Sequence, residues 1–472
     1  MPTMTLQPAE IDKNFKYIRD SDGNRIPFND PRVVHVWTVN YNRHCNSLLQ
    51  HIYKRRGLQL RISAEPSNHL IRKSKQVCSG KECPALNPLM GAALQDMKHQ
   101  RKPDEITLYY GLDCIGPCPS GAWPLTCDAY VKKLQIRNVF FPGSPALHNN
   151  YLGQGIRYSW ELFCAIVIGD ILAEAEVALR LTATDPTEAM RLFDEESELL
   201  CQRAGKKGLM GFEGALRKWA RAMARIPRRE TIDAFPRLVM ISGGNGLLLH
   251  RFFIDYFVEQ QILVKLNPMA DFISHIDSDL TRLVAYQAAQ KASKQHAIGS
   301  RILAALSLFD GSGWEKRKAL LNVINAKAGD ISIRRYRRIA RKSRLLFAHH
   351  ASFAEQSTTG DSICPDQLML EATANLGLLQ LSINSGQYDA GFHSNSFNCF
   401  HGVIGQALCK DLAGRNNFPF VVLEFDEIGL TAQNRTLLET LCAKAKKNFA
   451  RRKSTVSAVE LSNRKLKVEQ EA

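Results

Sequence analysis

The fold class this sequence predicts is α/β: two Rossmann-like parallel-sheet lobes with a helical insertion. Three observations predict it. The apolar run Val33–Trp37, the helically spaced stretch Asn42–Arg56 ending at Gly57, and the run Leu58–Ile62 make a β-α-β pattern. Such a unit implies a parallel sheet with a right-handed crossover. A second unit of the same kind begins near residue 236, with Leu238–Ile241, Leu247–Gln260 and Ile262–Leu266. Finally, Asp277–Ala348 reads as helical and basic, which suits an insertion better than a third Rossmann unit.

The remaining elements follow in order. Residues 1–30 read as a loosely ordered lead-in, and the first lobe covers 31–230. Within it a helix is expected from about Pro88 to Lys98, strands at Ile106–Tyr110 and Val139–Phe141, and long helices at Trp160–Leu181 and Pro186–Arg203. The second lobe covers 231–450 and holds the insertion at 277–348. Its later elements are a helix over Asp366–Ser382, a buried strand at Phe420–Phe425 and a helix over Asn434–Phe449. Residues 451–472 read as a basic, polar tail that frays. No internal repeat is visible; the two β-α-β units share only a pattern.

Composition bounds the class. The 472 residues suffice for a large core and two or three domains. Hydrophobic content of 45% and charged content of 23% are those of a globular protein. Twelve cysteines scattered over so long a chain are not a secreted disulfide scaffold. Met1–Asp30 is polar and has no apolar run of signal length, so no secretory leader is expected. The apolar stretch Leu162–Leu181 is interrupted by Asp170, Glu174 and Glu176, so it reads as a buried helix and not a membrane span. A reducing cytoplasm is the expected compartment.

Sixty-two basic residues face 46 acidic ones, a net charge of +16. The excess concentrates in Arg217–Arg229, Trp314–Lys342 and Lys444–Lys467. Runs such as RRYRRIARK, Arg334–Lys342, can bind phosphates or an acidic partner; solvated helix faces are the commoner explanation. No zinc-finger, RNA-binding or helix-turn-helix signature raises a nucleic-acid reading.

The chemistry-bearing residues are three cysteine islands: Cys78-Ser-Gly-Lys-Glu-Cys83-Pro, Cys114-Ile-Gly-Pro-Cys118-Pro and Asn398-Cys399-Phe-His-Gly. Each places Gly or Pro beside a thiol, which allows close backbone approach and a fixed turn. Two follow expected strands, at the end of an open α/β sheet where ligands bind. Thiolates from several loops can hold an iron–sulfur cluster. The same five cysteines allow a tetrahedral zinc site, and buried apolar thiols are the plain reading. From residue types alone the three readings stand level.

The order Ser-Gly-Lys-Glu-Cys83, Gly-Pro-Cys118 and late Cys399-x-x-Gly resembles the 2-hydroxyacyl-CoA dehydratase and benzoyl-CoA reductase family. It is most similar to the non-ATPase region of CoA-substrate-specific enzyme activase proteins. Stretches at Arg32–Gly57, Trp160–Leu172, Pro236–Asn267 and Phe418–Lys446 resemble the family's strands and helices, so the likeness covers most of residues 30–450. The resemblance implies one ligand per island, Cys83, Cys118 and Cys399, on a 4Fe–4S or double-cubane cluster. Cys78 and Cys114 are neighbours that could complete a larger one. It further implies a separate ATP-dependent activator protein, an acyl-CoA substrate, electron transfer for a low-potential reduction or dehydration, and a homo- or heterodimer. The chain departs from the family at Pro119–Trp123 and at Ser242–Gly246.

Other residues have weaker claims. The loop SGGNG, Ser242–Gly246, joins a strand to a helix but lacks a full dinucleotide fingerprint and a Walker lysine, so a tight turn is expected. His401 could donate a hydrogen bond to cluster sulfur or act as an acid; His393 invites the same question, and a satisfied loop histidine is the commoner outcome for each. Asp426 is expected to cap the next helix or orient the turn, and Lys81 and Glu82 to tune cluster charge or pair locally. The alternative function is a non-catalytic scaffold, stabilised by zinc or a cluster, that binds an acidic protein or nucleic acid.

Overall fold

In the computed structural model of the chain, the described residues are 7–12, 16–40, 42–111, 118–142, 155–242, 250–274, 314–364, 371–397 and 399–471. Cys114, residues 243–246 of SGGNG and residues 277–313 of the expected insertion lie outside them.

Two four-stranded parallel sheets form the frame. The first lobe's strands are β4 (Val33–Trp37), β5 (Gln59–Ile62), β6 (Ile106–Tyr110) and β7 (Val139–Phe140), in the spatial order β5-β4-β6-β7. The second lobe has β8 (Arg237–Ser242), β9 (Leu263–Lys265), β10 (Ala390–Ser396) and β11 (Phe420–Phe425), in the order β9-β8-β10-β11. Both lobes therefore run second-first-third-fourth, so the kinship of the two halves extends to whole-sheet topology. Central strands β4 and β6 are buried throughout, as parallel sheets covered on both faces require.

The lead-in is more ordered than expected. Its described residues form a small antiparallel sheet of β1 (Glu10–Ile11), β2 (Ile18–Arg19) and β3 (Arg25–Ile26). Asp20 organises its tight turn by accepting from the backbone N–H groups of Asp22 and Asn24.

The helices of the first lobe are α1 (Arg43–Arg55), α2 (Asn68–Lys75), α3 (Leu86–His99), α4 (Trp123–Lys133), α5 (Ile156–Thr182), α6 (Pro186–Lys207) and α7 (Leu209–Met223). Those of the second are α8 (His250–Glu259), α9 (Trp314–Ala340), α10 (Phe353–Asp361), α11 (Glu371–Asn384), α12 (Phe400–Arg415) and α13 (Ala432–Glu471). Asn42 caps α1 through the N–H groups of His44 and Cys45. Asp185 caps α6, with Pro186 at its first position. The C-terminal segment expected to fray continues α13 as far as Glu471.

Helix α5 is the spine between the lobes and is buried over most of its 27 residues. Gly169 lets it touch α1: a Cβ there would stand 2.6 Å from the Cys45 Cβ. The three acids that break its apolar run all have partners. Asp170 accepts from the N–H groups of Met269 and Ala270. Glu174 binds Lys265 and Arg337. Glu176 binds Arg43 and His44 of the first lobe and Arg251 of the second. Among the described residues no helix is long and apolar enough to cross a membrane.

The basic stretch Arg334–Lys342 is largely engaged within the chain. Arg334 pairs with Asp330, Arg335 with Glu213, and Arg337 is buried against Glu174. Arg341 donates to the Ala348 carbonyl.

Candidate functional site: three thiols at three helix starts

Cys83, Cys118 and Cys399 each stand where a helix begins. The Cys83 carbonyl accepts from the N–H of Leu86, the first residue of α3. Cys118 is the extended residue before a 3₁₀ turn, Pro119–Ala122, that runs directly into α4. Cys399 is the extended residue before α12, and its carbonyl accepts from the Val403 N–H. Helix N-termini carry partial positive charge and unpaired N–H groups, which favour thiolate over thiol.

These loops, two in the first lobe and the third 281 residues beyond Cys118, meet at the carboxyl ends of the two sheets. The Cys83 thiol is hydrogen-bonded to Ser396 at the end of β10, and the Ser396 carbonyl accepts from the Cys399 N–H at 3.1 Å. The Cys118 Sγ lies 3.0 Å from the Ser120 hydroxyl. Burial pushes the Cys83 thiol up; negative charge on Cys118 and on Glu371 pushes the same way, while the Ala85 N–H and Ser396 oppose it. Cys399 is pushed up to about 12, first by burial, then by Glu371, with Cys83 and Cys118 adding to it and the Gly402 N–H opposing. Mutual influence of this kind requires the three thiols and the Glu371 carboxyl to share one neighbourhood. Without a metal, the thiols at 83 and 399 hold their protons at neutral pH, and metal binding would release them.

Cys78 stands apart from this group. Its Sγ lies 3.2 Å from the Ser74 hydroxyl, and its charge bears on Cys127. Glu82 folds the first island by accepting from the Ser79 N–H and hydroxyl, the Gly80 N–H and the Tyr130 hydroxyl. These bonds outweigh burial and bring its carboxyl down to about 2. Glu82 therefore shapes the loop through Ser79, Gly80 and Tyr130. The helix after Asp426 begins only at Ala432, where the Thr431 hydroxyl accepts from the Asn434 N–H, so Thr431 takes the capping place, and of the two roles expected of Asp426 only that of orienting the turn is left. Among the described residues, no three His, Cys, Asp or Glu side chains stand together as ligands of a single metal ion.

His393 and His401 stand out in the sequence, but neither is the satisfied loop histidine expected, and the buried strand that carries His393 was missed. Strand β10 reads AGFHSNS, too polar to signal a central strand, yet every residue of it is buried. His393 Nδ1, Ser394 Oγ and Asn395 Nδ2 have no hydrogen-bond partner, nor has either ring nitrogen of His401. Burial brings both imidazoles down to about 4, so they are neutral at pH 7. Glu371 was also missed, because nothing in sequence links the first residue of α11 to a cysteine loop. Buried unpaired polar groups are rare, and their concentration behind Cys399 marks a place built for something other than packing.

A cavity of about 530 Å³ opens between α1 and α8 and is lined by Asn40, Arg43, His44, Glu176, Arg251 and Asp255, among others. Asn40 follows β4, so this opening also lies at the carboxyl end of the first sheet. Arg43 and Arg251 hold buried Glu176 yet keep about half of their surface exposed, at 46 and 55%. Asn68 and the Ile428 backbone exchange two hydrogen bonds, of 2.8 and 2.7 Å, and close the lobes together.

No protein-family model matches this chain, and no curated protein does.

Proposed function

We propose that this chain is an iron–sulfur protein of the 2-hydroxyacyl-CoA dehydratase type, with Cys83, Cys118 and Cys399 as the cluster ligands. The observation that carries this reading is the meeting of three distant thiols at three helix starts, at the carboxyl ends of both sheets. The donor set fits the group: sulfur ligands from separate loops, partly shielded from water, facing helix ends that offset the negative charge of a thiolate-bound cluster. When bound, the cluster supplies one-electron chemistry. The protein's part is to hold it, shield it and keep a path for the electron.

Electrons would come from a separate ATP-dependent activator, since the sequence holds no Walker lysine motif. An acyl-CoA substrate is what the family resemblance implies; it would enter at the carboxyl ends of the sheets, where the cavity between α1 and α8 opens, although Arg43 and Arg251 there are paired with Glu176, Asp194 and Asp255.

The test is purification under nitrogen, followed by iron, acid-labile sulfide and zinc analysis. A brown protein with several irons and matching sulfide per chain supports the reading. A colourless protein with one zinc overturns it in favour of a metal-stabilised scaffold.

A further inference from the structure

Helix α7 and the end of α9 build one basic face from stretches more than a hundred residues apart. Glu213 of α7 accepts from Arg217 of its own helix at 3.0 Å and also from Arg335 of α9, so one carboxylate stands between two guanidiniums. At the other end Arg228 donates to the carbonyls of Met223, Ser343 and Arg344, at 2.8, 2.6 and 3.4 Å. The two helices therefore lie side by side and run in the same direction. The solvent stripe of α7 carries Arg217, Lys218, Arg221 and Arg225. Beside it α9 and the turn that follows expose Arg335, Arg338, Lys342 and Arg344. Among the described residues these cations have a single carboxylate partner, Glu213.

We propose that this face binds double-stranded nucleic acid through its phosphates. The inference uses no thiol and stands apart from the iron–sulfur reading. Like charges four positions apart weaken a helix, so the row Arg217, Arg221, Arg225 does not serve the stability of α7. Its members rise by about 6 Å each along the axis, close to the spacing of successive phosphates on a strand. Most of the cations are arginines, whose planar fork matches phosphate oxygens. No aromatic ring is exposed on α7 or over 327–344, so the base stacking of single-strand binders is not offered. Met210 and Ile331, 84 and 64% exposed, fall short of the apolar stripe with which a helix lies in a membrane. Contact with the backbone of a duplex needs no sequence-reading motif.

The test follows the full-length protein binding a fluorescein-labelled DNA duplex of arbitrary sequence, by anisotropy, between about 50 and 200 mM salt. Each phosphate neutralised contributes about −0.9 to the slope of log affinity against log salt, so contact by about four to six cations gives a slope between about −3.5 and −5.5. Arg221→Glu/Arg225→Glu/Arg338→Glu should weaken binding at least about tenfold and flatten the slope by nearly 3. Lys444→Glu/Lys446→Glu/Lys447→Glu makes the same change in net charge at exposed positions of α13 and should bind as the wild type does. Absence of duplex binding at low salt overturns the proposal, as does equal loss in both triple variants, which would trace the binding to net charge. Binding to phosphatidylserine vesicles without binding to the duplex overturns it in favour of a lipid surface. The wild-type slope decides even if a variant fails to fold: one no steeper than about −1 excludes a multi-phosphate contact.

Discussion

Glu174 in α5 receives both terminal nitrogens of Arg337 from α9, at 2.8 and 2.9 Å, with the two side chains 5 and 6% exposed. The Phe347 N–H donates to the same carboxylate at 2.8 Å, and the Lys265 ammonium at the end of β9 completes its surroundings. One buried anion thus ties the spine helix, the second sheet and the basic helix into a unit. Burial alone would raise Glu174; Arg337 and Lys265 prevail and hold it well below the usual carboxylate range.

Arg337→Glu is therefore expected to destabilise the protein by about 3–5 kcal/mol, because it leaves like charges buried against each other. Arg338→Glu, on an exposed position one residue away, should change little. Urea unfolding of both variants measures the difference. Equal stabilities would mean that the Glu174 cluster does not anchor α9. If the basic run docks an acidic partner, Arg338 is the position to test.

Acid should weaken the junction between the lobes. Glu176 is buried, and bonding to His44 with the charges of Arg43 and Arg251 brings it down to about 2 against burial. A carboxyl lowered from 4.5 contributes stability that is present above about pH 4.5 and is lost as pH falls toward 2. That contribution is about 3 kcal/mol. Asp170, which burial pushes up to about 7, acts in the opposite sense: its contribution fades as pH rises from 3.8 through 7. Glu176→Gln should flatten the acid limb of a stability–pH curve below pH 4.5. An unchanged limb would show that other carboxyls carry it.

Cys83→Ala, Cys118→Ala and Cys399→Ala should each lower iron and sulfide content sharply. Cys45→Ala, Cys201→Ala and Cys442→Ala should not, because those thiols are buried on helices α1, α6 and α13, outside the islands. Unchanged iron in all three island variants would end the ligand assignment.

Gly402→Ala should disturb the site without touching a thiol. The added methyl would collide with the Asn395 amide, so the first turn of α12 must shift and carry Cys399 with it. Reduced iron content is expected, with partial recovery in Gly402→Ala/Asn395→Ala, where the obstacle is gone. Full iron loading in the single variant would show that the start of α12 yields freely.

Much of the fold was legible because its signals are local. Val33–Trp37, Ile106–Tyr110 and Phe420–Phe425 are apolar, β-rich runs, and each is a strand with those bounds. Helix α1 follows from apolar spacing between Asn42 and Gly57, and α5 and α6 were read at Trp160–Leu181 and Pro186–Arg203, within the helices Ile156–Thr182 and Pro186–Lys207. What escaped is what local pattern does not encode. The polar strand β10 is central because its neighbours β8 and β11 bury it. Arg337 looked like part of a solvated basic face, but its partner Glu174 lies 163 positions away.

By itself the sequence determined two parallel-sheet lobes, a buried helix across residues 162–181 and three Gly/Pro-flanked cysteine islands, because each is written in the spacing of neighbouring residues. Only the tertiary structure decided that Cys83, Cys118 and Cys399 share one neighbourhood with Glu371, that Cys78 turns instead toward Ser74, and that His401 is buried without a hydrogen-bond partner. Those relations depend on how the two sheets and α5 pack together, and such long-range contacts leave no periodic trace along the chain.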